Sequence, residues 1–189
     1  MTSLIDWDDP PPGGWTTDDL DHLRAHGRQR ELVDGVVPLG PEPGPVHQKV
    51  VGLLGAKLRS ICPREYEVVQ GVELRFTRRR SFLPDLQVVF ADANRSGCLA
   101  PREVVVAVEV VAPTSLVMDR ITKPALYAAA GIPYYWRVET DGGVEVSTYR
   151  LDPLDEIYRQ IGEFREVVDV TEPWPVKIQV SEITPPPFS

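Results

Sequence analysis

Cysteine is nearly absent: Cys62 and Cys98 are the two thiols in 189 residues. Two thiols cannot make a disulfide framework, and these lack the paired spacing of a zinc site. Long hydrophobic runs are missing too. The longest, from Val104 to Val111, is about a third of a membrane span and carries Glu109 inside it, so no membrane-spanning helix is expected. The opening stretch Asp6-Trp7-Asp8-Asp9-Pro10 has neither a basic start nor an apolar follow-on, so no secretory leader is expected either. Positive charge is in deficit: 20 Lys and Arg against 28 Asp and Glu leave a formal charge of −8. That balance excludes a general nucleic-acid coat protein, but not an enzyme that meets DNA through one local patch. Also lacking are a Walker-type phosphate loop, a dinucleotide fingerprint and a Gly-x-Ser-x-Gly elbow around Ser115. His22 and His26 are spaced by four but have no third ligand near them, and read as solvent residues.

What is present suits one domain. Hydrophobic residues make up 42% of the chain, enough at this length for a real core. Proline marks the edges, at Pro10 to Pro12 and Pro185 to Pro187. The expected organisation is a tail over 1–14, a domain over 15–183 and a tail over 184–189, in a reduced cytoplasmic protein. Thr17-Asp18-Asp19-Leu20 opens a short helix that Gly27 is placed to end. Asp34-Gly35, between Glu31-Leu32-Val33 and Val36-Val37-Pro38-Leu39, is the strongest hairpin signal. Val46, Val50, Leu53, Leu54, Leu58 and Ile61 recur at helical spacing before Pro63. Strands are expected at 66–69, 72–77, 86–90 and 104–111, then a helix over about 122–130, ended by Gly131 and Pro133. Further strands follow at 134–138 and 144–150, and near 157–170 and 176–180. The order is α+β with a mixed sheet flanked by helices, not the alternation of a doubly wound fold.

The chemistry starts at Glu109. Val104 to Val108 is apolar on both faces, as a central strand should be, and a carboxylate continuing that run needs a cation, a metal or a proton. The alternative is that the strand emerges into solvent there. Asp85 opens the apolar strand Leu86–Phe90. If the two strands pair antiparallel with Phe90 opposite Val104, Asp85 falls opposite Glu109 on the same face, about 5 Å apart at Cβ. A one-residue slip would separate them. Two such carboxylates suit Mg²⁺ or Mn²⁺ rather than zinc. Lys123, near the start of the next helix, is placed to position or deprotonate a metal-bound water and to offset phosphate charge. Alone it would read as an ordinary solvent lysine.

These residues resemble a known family. Pro84-Asp85-Leu86, Val108-Glu109-Val110-Val111-Ala112-Pro113-Thr114-Ser115, Asp119-x-x-x-Lys123-x-x-x-Tyr127 and Ala130-Gly131-Ile132-Pro133-Tyr134-Tyr135-Trp136 follow in order. With Glu31-Leu32-Val33-Asp34-Gly35 and His47, the pattern resembles the Uma-type restriction endonucleases of the PD-(D/E)xK nuclease superfamily over about residues 15 to 183. The resemblance implies a restriction endonuclease-like core. It implies Asp85 and Glu109 as metal ligands and Lys123 as the catalytic lysine, moved onto the helix. Val111 stands where the wider superfamily has its lysine, and Ala112 replaces the usual serine.

The reading is a Mg²⁺- or Mn²⁺-dependent endonuclease acting on DNA. Asp85, Glu109 and the Val110 carbonyl would hold the metal, and Arg78, Arg79, Arg80 and His47 would contact nucleic acid. One site per chain cuts one strand, so duplex cleavage implies a homodimer or sequential nicking. Pro124 restricts the helix to begin no earlier than about Arg120, with Thr122 as cap and Lys123 at its mouth. Lys123→Ala is then expected to slow turnover with folding nearly intact. The competing class is a nuclease-fold interaction module without chemistry, which Pro124 and the acidic balance favour.

Overall fold

The computed structural model describes residues 10–24, 30–38, 44–94, 97–112 and 115–186. His26, the expected helix stop at Gly27, Leu39 of the expected hairpin, Pro113, Thr114 and the outer parts of both tails lie outside those residues.

Helix α1 (Thr17–Arg24) begins at a reciprocal cap: Asp19 accepts hydrogen bonds from the amide and hydroxyl of Thr16 at 2.8 and 2.6 Å. Asp34 and Gly35 both have positive φ, 51° and 89°, the type I′ turn that Asp-Gly favours. The expected two-stranded hairpin shrinks to one bridge, Val33 to Val36. Leu32 turns instead to Ser81 and exchanges backbone bonds with it at 2.8 and 2.9 Å, which docks the segment carrying Glu31 onto the sheet system. Helix α2 (Pro45–Ile61) starts with proline, whose missing N–H is harmless there, and buries His47, Val50, Val51, Leu54 and Leu58.

The strands β1 (Tyr66–Gln70), β2 (Glu73–Thr77), β3 (Arg80–Phe82), β4 (Leu86–Phe90), β5 (Cys98–Leu99) and β6 (Val104–Val110) follow. After a π turn at Met118–Thr122 come α3 (Lys123–Ala129), β7 (Tyr134–Glu139), β8 (Glu145–Asp152) and β9 (Ile157–Phe164). Then β10 (Val167–Val170), β11 (Val176–Gln179) and the short α4 (Val180–Ile183) close the order. The main sheet runs β1-β4-β6-β7-β8-β9, with β6 and β7 parallel and the other neighbours antiparallel. The stretch 72–77 leaves that sheet for a smaller one with β3 and β5.

One face of the main sheet carries Leu86, Val88, Val106, Val108, Trp136 and Val146 against α2 and the β10–β11 pair. The other packs Val89, Val104, Ala107 and Tyr135 against Tyr127 and Ile132, with Phe82 from β3. Both faces of the centre are covered, which is why all seven residues of β6 are buried despite Glu109 among them.

Two expectations about this region need correction. The aligned pairs Leu86↔Val108, Gln87↔Ala107 and Val88↔Val106 match the expected register at the Asp85 end. A bulge then inserts Val105 as an extra residue, so Val89, not Phe90, faces Val104. The second correction concerns the helix. Helical backbone already begins at Leu116, and Thr122 is helical (φ −71°, ψ −54°) with no side-chain cap bond. In the π turn the Lys123 amide bonds the Met118 carbonyl, five residues back. An α-helical Pro124 would drive its ring into the Arg120 carbonyl; the wider turn relieves that clash and lets the helix continue. Lys123 therefore stands inside a continuous helix rather than at its mouth.

Candidate active site

Asp85 sits just ahead of β4, where the chain enters the sheet beside the C-terminal end of β6. Its Oδ2 accepts the Val110 N–H at 2.8 Å and lies 3.1 Å from His47 Nε2. So the β6 backbone and α2 fix one carboxylate oxygen. Glu109, 1% exposed, points to the α3 side of the sheet. Tyr127 donates to its Oε1 at 2.5 Å, and Lys123 Nζ lies 3.2 Å from each of its oxygens.

Lys123 is 6% exposed and gathers more acids than the sequence reading assigned. Its ammonium is 2.9 Å from Glu31 Oε1 and 3.3 Å from Asp119 Oδ1. Glu31 is also anchored by the Leu83 N–H at 3.0 Å, and Ser115 donates to Asp119. Four carboxylates, Glu31, Asp85, Glu109 and Asp119, therefore influence one another around a single lysine. Burial raises Glu109 well above the usual carboxylate range, Asp119, Asp85 and Glu31 push the same way, and Lys123 only partly opposes them. Burial and Asp85 also raise Asp119, against Lys123 and the Ser115 hydrogen bond. For Lys123 burial alone would lower the pKa, but Glu109, Glu31 and Asp119 together hold it well above its ordinary value. The ammonium is thus the positive charge that these acids surround.

Asp119 and Tyr127 stand four residues on either side of Lys123, and that spacing was the available signal for them: such residues share one helix face. Glu31 carried no comparable signal, because it arrives from a distant segment through the Leu32–Ser81 bridge.

The structure brings Asp85, Glu109, Val110, Lys123 and His47 together. It does not bring the arginine cluster there. Arg78, 73% exposed, pairs with Asp18 at 2.8 Å, Arg79 donates to the Asp34 carbonyl at 2.9 Å and Arg80 reaches Asp34 Oδ1 at 2.5 Å. Arg79 also lies over Gly35, where any Cβ would collide with its guanidinium. Arg79 and Arg80 hold the N-terminal turn in place, and Arg78 is more exposed than Arg80.

The surplus of hard oxygen donors fits a divalent cation. No set of three or more His, Cys, Asp or Glu side chains among the described residues forms a ready-made cage. Mg²⁺ does not need one, since it commonly takes one or two carboxylates and completes its shell with water and phosphate. Asp85 and Glu109 are two carboxylates at this end of β6 that such an ion could take.

Comparison with known proteins bears on the fold and the family. No curated protein matches the chain. The crystal structure of a putative nuclease belonging to DUF820 from Anabaena variabilis ATCC 29413 superposes with a TM-score of 0.65. It does so at 18% identity, over 89% of this chain and 97% of that one, a likeness that establishes the restriction endonuclease-like fold. The sequence profile described as "Uma2: Putative restriction endonuclease" matches residues 17–181. The chain belongs to the Uma2 restriction endonuclease family.

Proposed function

We propose that this nuclease-family protein is a metal-dependent endonuclease that hydrolyses DNA phosphodiester bonds. The observation that carries the reading is the convergence of Asp85, Glu109 and a buried Lys123 at one end of β6. Asp85 and Glu109 hold Mg²⁺ or Mn²⁺, with the Val110 carbonyl as a further ligand. Bound there, the cation supplies Lewis-acid polarisation of the phosphate and a water of lowered pKa.

The chain's own groups do the rest. Tyr127 fixes the Glu109 carboxylate, and His47 with the Val110 amide fixes Asp85. Lys123, held among Glu31, Glu109 and Asp119, orients the attacking water and stabilises charge on the phosphate. Glu31 and Asp119 aim the ammonium from two further directions. Among the arginines, Arg78 adds a phosphate contact in exchange for its exposed pair with Asp18. One site cuts one strand, so duplex cleavage requires a homodimer or two successive nicks. The reading includes a cytoplasmic setting; no helix among the described residues is long and apolar enough to cross a membrane.

The inert-module alternative drew on Pro124 and on the acidic balance, and the π turn answers the first of these. Calorimetric titration of Mn²⁺, run beside cleavage of supercoiled plasmid, tests the proposal. The wild type should bind the metal and nick the plasmid, and Asp85→Asn should lose both. Metal-independent nicking, or metal binding unchanged in Asp85→Asn, would overturn it.

A further inference from the structure

On the far flank of α3 from Lys123 lies a cleft of about 260 Å³. Tyr135 is its buried floor. The half-buried Tyr149 and Tyr158 flank that ring at 5.6 Å between centroids, Arg137 stands 5.5 Å over Tyr149, and Pro124 and Ala125 form the α3 wall. Ile121 and Ile157, at 66% and 46% exposure, leave apolar surface at the mouth.

The cleft adjoins the acid cluster through three connections. Arg137 is the register neighbour of Glu109 across the parallel β6–β7 pair, about 5 Å away at the strand spacing. The Tyr135 hydroxyl donates to the Asp119 carbonyl at 2.6 Å. Its ring lies 6.0 Å from that of Tyr127, which holds Glu109.

Charge narrows the ligand. Arg120 and Arg137 both pair with Glu139, and Glu156 stands at the rim, so the cleft offers little net positive charge for a phosphate. It offers aromatic and guanidinium surface instead, the combination on which unstacked bases are held. Its volume falls below the roughly 300–1,000 Å³ of sites for drug-sized ligands and suits a single base.

We propose that this cleft binds one unstacked nucleobase of the substrate, next to the phosphate presented to Asp85, Glu109 and Lys123. The inference rests on the nuclease reading and narrows its substrate to a nucleic acid that has, or yields, an unpaired base at the cut. Preference for single-stranded or distorted DNA over regular duplex follows, because regular duplex must first give up stacking and pairing.

The test is binding of a short oligonucleotide carrying one fluorescent aminopurine, single-stranded or annealed, to the full chain in EDTA. The wild type should bind the single strand more tightly than the duplex and change the aminopurine emission. Ala125→Trp fills the mouth from an exposed position, and Tyr149→Leu removes a flanking ring. Each should weaken single-strand binding about tenfold or more, the scale of one base–aromatic contact, and abolish the emission change. Equal binding of single strand and duplex, no binding, or wild-type affinity and emission in well-folded Ala125→Trp would overturn the cleft assignment. The nuclease reading fails separately. If plasmid stays uncut with Mg²⁺ and Mn²⁺ while the emission change is seen and is lost in Ala125→Trp, the cleft stands as a base site on a protein that does not cleave.

Discussion

Lys123→Ala is expected to cost about 3 kcal/mol of stability without metal, as removing one partner of a buried ion pair does. The same change should slow cleavage at least about 10²-fold, the loss typical of a positioned electrostatic group. The first effect reverses what a lysine at a helix mouth would imply. There, truncation would be silent in folding; here the ammonium is buried among Glu31, Glu109 and Asp119, and its removal leaves those carboxylates uncompensated. The two losses separate by adding metal. A divalent cation supplies positive charge to the same acids, so Mn²⁺ should raise the Tm of Lys123→Ala by more than that of the wild type. Cleavage should stay depressed, because the metal does not replace the ammonium that orients water and phosphate. Denaturant unfolding in EDTA and plasmid cleavage in Mn²⁺ read the two quantities. Parental stability would show that Lys123 is not the counter-charge of the cluster, and a parental rate would remove it from the chemistry.

The geometry of this cluster was unevenly legible in the sequence. The period of two in β4 and β6 sufficed to place Asp85 beside Glu109, because the bulge at Val105 lies beyond Val88↔Val106 and leaves that end of the register intact. Had the extra residue fallen between Val106 and Glu109, the acids would have stood on opposite faces and the same argument would have failed. The aim of Lys123 was not legible. Proline rules describe an α-helix, and the π turn at Met118–Thr122 evades them by lengthening one hydrogen-bonded ring. Asp119 and Tyr127 were visible as a spacing without a role. Glu31 reaches Lys123 only because Leu32 pairs with Ser81, a tertiary bridge with no local signature. The partners of the arginine cluster were not legible either: its counter-charges, Asp18 and Asp34, come from the N-terminal segment folded back over it.

Glu109→Gln is expected to separate stability from activity, moving them in opposite directions. Cleavage should fall at least about 10³-fold, since an amide is a poor metal ligand and a bound metal supplies several kcal/mol of charge stabilisation. Stability of the metal-free protein should rise relative to wild type, and increasingly so at higher pH. The sign follows from proton counting. Burial and the neighbouring acids raise the folded Glu109 pKa above its ordinary 4.5, so the folded state binds more protons than the unfolded one between those two values. Wild-type stability therefore declines as pH rises from about 4.5 through the raised value, and levels off beyond it. Glutamine has nothing to ionise and is spared that decline. Asp119, also raised by burial, adds a slope of the same sign in both proteins. Urea midpoints in EDTA at several pH values measure the difference: the two proteins should be close below pH 4.5 and diverge above, with glutamine the more stable. Mn²⁺ should close the gap from the wild-type side by satisfying the charged carboxylate. A gap that ignores pH, or a variant that falls behind as pH rises, would mean that Lys123 already neutralises Glu109 in full. The surplus negative charge that calls for a metal would then be gone, and the metal-dependent reading would lose its electrostatic basis.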